Sequence, residues 1–198
     1  TMTIGIESCL AMQNAIEQLN RENPDGPLVQ VGIGLACGSV IVGAIGENER
    51  MEGTMISEIV PVTARLEALT KPFGAKILTT GEAMKRIKNP KALHYRPLGY
   101  VKAKTKKGMI KVYEVLDKSD KVKIETSKKF REAVDLMVKH EYDTAVKIFK
   151  DISKKNPNDK ACLRLLDSCL QYYKELTENI NVMTIEQGLK IEPVREAF

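Results

Sequence analysis

The pattern of apolar and polar positions changes character near residue 117. Over 7–22, Leu10, Ala11, Ala15, Ile16 and Leu19 recur at helical spacing. Asn23-Pro24-Asp25-Gly26-Pro27 breaks that helix. Val29, Val31, Ile33 and Leu35 alternate with Gln30, Gly32, Gly34 and Ala36, which predicts a strand over 29–36. A second extended segment is predicted at 40–45, then a polar loop at 47–54. The next helix runs from Ser57, the candidate N-cap, to about Leu69. Pro61 falls in its early turns, where proline is best tolerated. Thr70-Lys71-Pro72-Phe73-Gly74 closes it. A short strand follows at 76–79 and a short helix at 81–87. Strands at 94–104 and 111–116 flank Thr105-Lys106-Lys107-Gly108 and predict a hairpin. Strands mixed with helices, then a hairpin, predict one mixed domain over 1–117.

Residues 118–126 are charged, poor in apolar side chains and read as a linker. Beyond them the periodicity is helical throughout, at 127–139, 141–154 and 160–176. Tyr142, Ala145, Phe149, Ile152 and Pro157 resemble the second helix of a tetratricopeptide repeat. An array needs about three repeats to bury its faces, and one copy is visible. Residues 127–177 therefore predict a short TPR-like helical extension. Residues 178–198 show no firm pattern and are unassigned.

Composition adds limits. With 43% hydrophobic and 29% charged residues, the chain reads as globular. It has no tryptophan, so its core relies on aliphatic side chains. The net charge of +5 is concentrated in lysines at 102–111 and 118–129. Such runs are most often solvated faces; a polyphosphate is the functional alternative. Few aromatics interleave with the first run, which argues against nucleic acid. Cys9, Cys37, Cys162 and Cys169 form no C-x-x-C pair, and neither His94 nor His140 completes a metal spacing. No apolar run reaches the roughly 20 residues of a membrane span, and no signal peptide is visible, so a cytoplasmic setting is expected, either on its own or as the cytoplasmic part of a larger or membrane-anchored protein.

The segment Val31–Glu67 reads VGIGLACGSVIVGAIGENERMEGTMISEIVPVTARLE. Gly32, Ile33, Gly34, Gly38, Val40, Gly43 and Gly46 fit a glycine-punctuated pattern. Thr54, Ile56, Val60, Arg65, Leu66 and Glu67 fit a second pattern after it, and ILTT and VYEV strands follow in order. Together these resemble the later part of a class III adenylate or guanylate cyclase domain, of bacterial type. The resemblance implies an α+β fold, a ferredoxin-like sheet packed on helices, with the front of the domain missing and a small helical extension behind. A sheet without its first strands exposes an edge, to be covered by upstream residues or by a partner.

The resemblance also implies a site shared between two subunits, in a homodimer or heterodimer, with two Mg or Mn ions held by two aspartates. Arg65 matches the family's transition-state arginine. Thr54 matches the purine-reading position and leans towards ATP. Lys104 or Lys106 matches the lysine that neutralises the triphosphate. For each, an ordinary structural or solvated role is the competing reading.

The chain departs from the family in four ways. Pro61 stands where the family has an asparagine, and proline offers no side-chain donor. Ser57 and Glu58 replace a glycine and an aspartate. The basic hairpin lacks its glycine. Neither metal aspartate has a counterpart, so no metal ligands are assigned. The expectation is a cyclase-family domain that is inactive alone. The alternative is a pseudo-cyclase that dimerises and regulates, with the helical tail docking a protein partner. An unrelated phosphate-binding glycine loop ranks last, because neither G-x-G-x-x-G nor GK[ST] is present.

Overall fold

The computed structural model describes residues 2–47, 50–102 and 108–178, with only the backbone path for 44–47, 50–55 and 175–178. The first helix, α1 (Met2–Glu22), buries Ile6, Cys9 and Gln13, one turn apart on a single face. Strand β1 spans only Ile33–Leu35. The strand expected from residue 29 is shorter because side chains take its first backbone partners. Asn20 both donates to the Val29 carbonyl at 2.8 Å and accepts from the Val29 N–H at 2.9 Å. Gln13 donates to the Val31 carbonyl at 2.7 Å.

Two further expectations fail nearby. Residues 47–54, expected as a polar loop, lie largely in an antiparallel ribbon of β2 (Ile41–Glu47) and β3 (Arg50–Ile56). This ribbon is a separate two-stranded sheet. At the described start of the ribbon Ile41 and Val42, on opposite faces, are 71% and 74% exposed, so neither face is buried there to impose the alternation by which a strand is recognised. The expected helix starts at Ile59 rather than Ser57 and runs on to Phe73, as α2 (Ile59–Phe73). The Ser57 hydroxyl still serves the helix start. It accepts from the Ile59 N–H at 3.1 Å and donates to the Ser39 carbonyl at 2.5 Å. Gly74, at φ 57°, ends α2 in the left-handed conformation that glycine adopts most cheaply.

The remaining elements are β4 (Ile77–Thr80), α3 (Gly81–Lys85), a 3-10 turn at Pro90–Ala92, β5 (His94–Lys102) and β6 (Met109–Leu116). The expected β5–β6 hairpin is present, with a bulge between Pro97 and Gly99. The main sheet has the order β1-β4-β6-β5. β1 pairs parallel to β4, and the other pairs are antiparallel. Helices α4 (Lys121–Val138), α5 (Tyr142–Lys155) and α6 (Lys160–Glu178) complete the described chain. The stretch expected as a linker is therefore mostly helix. Its charges mislead because Lys123 pairs with Glu114 at 2.7 Å while Thr126 is buried.

Side chains alternate across the sheet and separate two cores. Ile77 and Val115 face α1 and α3, joining Ile6, Cys9, Met84 and Ile87. Leu78, Leu98, Val101 and Val112 face the other way, into one cluster with α2, α4, α5 and α6. That cluster runs without a break from Val62 of α2 to Cys169 of α6.

Candidate functional site

The motif glycines explain how α2 is seated. A Cβ on Gly34 would lie 2.5 Å from the Thr63 carbonyl oxygen and 2.6 Å from the Glu67 nitrogen. One on Gly32 would meet the Thr70 hydroxyl, and one on Gly38 would come within 2.9 Å of Ile59. Glycine at these positions lets β1 and the segment after it lie directly against α2. No described atom lies within 4 Å of a Cβ on Gly43, so contact does not account for that glycine.

With Val62, Leu66, Leu69, Thr70 and Phe73 buried, α2 turns its opposite face outward. Pro61 and Arg65, four residues apart, are both exposed there. Among the described residues, Arg65 has no hydrogen-bond or ion-pair partner. Arg65 is thus carried on α2 with its donors open to solvent, where an external anion can reach them. Thr54 lies on β3 opposite Gly43 of β2; its side chain is outside the described residues. Lys104 and Lys106 also lie outside them. Their flanks are described: Lys102 is exposed at the end of β5, and the Lys111 ammonium on β6 sits 5.7 Å from the rings of both Tyr100 and Tyr113. The sequence-predicted residues are therefore distributed over α2, the β2–β3 ribbon and the β5–β6 end.

The two metal ions implied by the resemblance do not fit what is described. No group of three or more His, Cys, Asp or Glu among the described residues is placed to hold a cation. Asp117 and Asp120 instead serve the turn after β6. Asp120 accepts from the Asp117 N–H at 3.0 Å, and Asp117 accepts from the Ser119 N–H at 2.8 Å. That second bond holds the Asp117 carboxyl below its ordinary range.

Sequence reasoning missed a buried charged cluster behind the β5–β6 pair. Arg96 on β5 is fully buried, directly opposite Glu114 on β6. Its Nε donates to Glu114 at 2.7 Å, and its other two nitrogens donate to both Asp159 oxygens at 2.5 and 2.7 Å. The guanidinium lies 4.1 Å from the Phe130 ring centroid. Lys123 completes a neutral set of two cations and two carboxylates. Burial alone would raise the Asp159 carboxyl; the hydrogen bonds and charge of Arg96 outweigh it and hold the group below the ordinary carboxylate range. The signal available in sequence was one arginine within a predicted strand whose remaining buried positions are apolar, glycine or proline.

Comparison with known proteins gives the following. No protein-family model matches the chain. It is 27% identical over 176 residues to the terminal-differentiation-specific adenylate cyclase of Dictyostelium discoideum, covering 86% of this chain and 8% of that protein. It is 32% identical over 117 residues to the adenylate cyclase of Anabaena cylindrica, covering 56% of this chain and 23% of that protein. Among solved structures, a bacterial light-regulated adenylyl cyclase is 26% identical, with a TM-score of 0.44, covering 64% of this chain and 36% of that one. The chain thus spans less than a quarter of the length of these two curated relatives. The first similarity, at 176 residues, is too long to end before the helices that follow residue 117. On the similarity to the two curated adenylate cyclases, and on the ordered motif residues of β1 to α2, the chain carries an adenylate cyclase-like domain.

Proposed function

We propose that this chain is part of a class III nucleotide cyclase in cytoplasmic signalling, working as a homodimer or heterodimer on ATP, and that alone it turns over poorly. The observation that carries the reading is the 32% identity over 117 residues to an adenylate cyclase. It is supported by a motif whose residues fall in order on β1, the ribbon and α2. In this reaction the ribose 3′-hydroxyl attacks the α-phosphate, the new O–P bond forms, and the bond to pyrophosphate breaks. Arg65 supplies a fixed cation to charge that develops on the phosphoryl oxygens. Thr54 contacts the purine, and Lys104 or Lys106 meets the triphosphate. Acidic residues from another segment or subunit complete the site.

Pro61 supports the impaired half of the proposal. It offers no donor to a ribose, and loss of one preorganised donor costs on the order of a hundred- to a thousand-fold in rate. The second reading, a pseudo-cyclase that dimerises and regulates with its helical tail as a protein-docking surface, is favoured by this same proline. The purified chain, given ATP and manganese, is expected to form no cyclic AMP above the protein-free blank. Cyclic AMP formation that Arg65→Ala abolishes would overturn the impaired reading and establish the enzyme. Light scattering is expected to give the mass of a dimer. A monomer at high concentration would remove the shared-site reading in both forms.

A further inference from the structure

The first turn of α6 touches both elements that frame the candidate site. Asp159 caps this helix, accepting from the Cys162 N–H at 3.2 Å, and at the same time grips Arg96 of β5 through both oxygens. One residue on, the aliphatic stem of Lys160 lies over Gly74, so that a Cβ there would be 2.9 Å from the lysine side chain. One turn further, the Arg164 guanidinium sits 5.6 Å from the ring of Phe73. Gly74 and Phe73 end α2, the helix that presents Arg65. Arg96 and its cross-strand partner Glu114 belong to β5 and β6, the strands on either side of residues 103–107. Lys123 ties the start of α4 to the same pair.

We infer that Asp159 and the first turn of α6 are a positioning joint, fixing α2 relative to the β5–β6 pair. The helical unit is then a fitted part of the cyclase-like domain, through which events on the tail reach the site. On the β5 side the bidentate arginine–carboxylate contact fixes orientation as well as separation; on the α2 side the Lys160 stem over Gly74 and Arg164 beside Phe73 supply the close packing. A joint of this kind is expected where two cations on separate elements must meet one polyphosphate, because small misplacements are costly in rate. The inference rests on the nucleotide-site reading for what is being positioned. The joint itself stands on the contacts above.

The experiment measures the spacing directly. In the full chain with Cys37→Ser, spin labels are placed at Ala68→Cys on α2 and Lys102→Cys on β5, both exposed positions. The labelled parent is expected to give one narrow distance distribution. Asp159→Asn, which keeps the shape but loses the charge, is expected to broaden or shift it. The double variant Lys160→Ala with Arg164→Ala, which leaves the buried charges intact and whose folding is checked by circular dichroism, is expected to shift it as well. Unchanged distributions in that folded double variant would overturn the joint, whatever Asp159→Asn does. Binding of ATP is measured separately by calorimetry on the same proteins. A parent that binds no ATP refutes the nucleotide reading while the label distance still decides the joint. A parent that binds, with affinity lowered in both variants in step with the distance change, supports both.

Discussion

Arg96→Ala is expected to cost about 3–5 kcal/mol of folding stability, because it leaves the Asp159 carboxylate buried without its cation. Against a total of roughly 5–15 kcal/mol for a typical domain, that loss is a large fraction of the stability. The geometry favours the upper part of the range. Arg96 is fully buried, and it makes one hydrogen bond to Glu114 and two to Asp159 while packing over Phe130. Urea denaturation of both proteins measures the difference. A midpoint shift equivalent to less than about 1 kcal/mol, the scale of a surface ion pair, would mean the network is not buried as described. Replacing both partners, Arg96→Met with Asp159→Leu, is expected to be less harmful than Arg96→Ala, since it leaves neither Arg96 nor Asp159 as an unpaired charge.

The same network sets a pH dependence. Asp159 has its carboxyl held below the ordinary range in the folded protein. Its contribution is therefore present in full above the unfolded carboxylate pKa of about 3.9 and is lost as pH falls through the lower folded value. Arg96 is held further above its already high ordinary value, so it adds no slope at working pH. Unfolding followed against acid should show the wild type losing stability below about pH 4, with that share of the slope missing in the double replacement.

Gly34→Ala is the second large effect expected, at about 1–3 kcal/mol or more, the usual cost of forcing a methyl group into a packed contact. The atoms it would meet are the Thr63 carbonyl oxygen and the Glu67 nitrogen, both backbone, at 2.5 and 2.6 Å. A helix backbone cannot step aside as a side-chain terminus can. Either β1 separates from α2 or α2 is displaced, and Arg65 moves with it. Gly43→Ala, on the exposed ribbon with no described atom within 4 Å, is the matched control and should melt close to the parent. Equal melting temperatures for the two variants would contradict the close seating of α2 on β1.

Where the chain makes its regularity visible, the sequence was readable. The β5–β6 hairpin and the tail helices α5 and α6 appear where the residues indicated them; in α5 the buried face shows directly as a helical period. Legibility failed where that link is broken. The β2–β3 ribbon satisfies its own ladder, and at its described start neither face is buried, so Ile41 and Val42 carry no period-two signal. Val29 and Val31 alternate like strand residues, yet Asn20 and Gln13 occupy their backbone groups, a long-range choice that no local pattern announces. The charges of 118–126 suggested a linker, although Lys123 is a buried-network partner. At the candidate site, the sequence supplied Arg65 and the glycines through the family resemblance. It could not supply Asp159, whose role arises only when a residue 63 positions away comes to lie beside it.

That separation has a consequence for synthesis. At typical elongation rates of about 5–20 residues per second, Asp159 is made on the order of 3 to 13 seconds after Arg96, which lies 63 residues earlier. During that interval the strand pair can form, but the arginine must stay hydrated, because it has only Glu114 to meet it. The sheet therefore cannot close its second face as the chain emerges. Ribosome-bound chains that end before α6 should present this face to chaperones, and the domain should reach its final compactness only after the last described helix has been released.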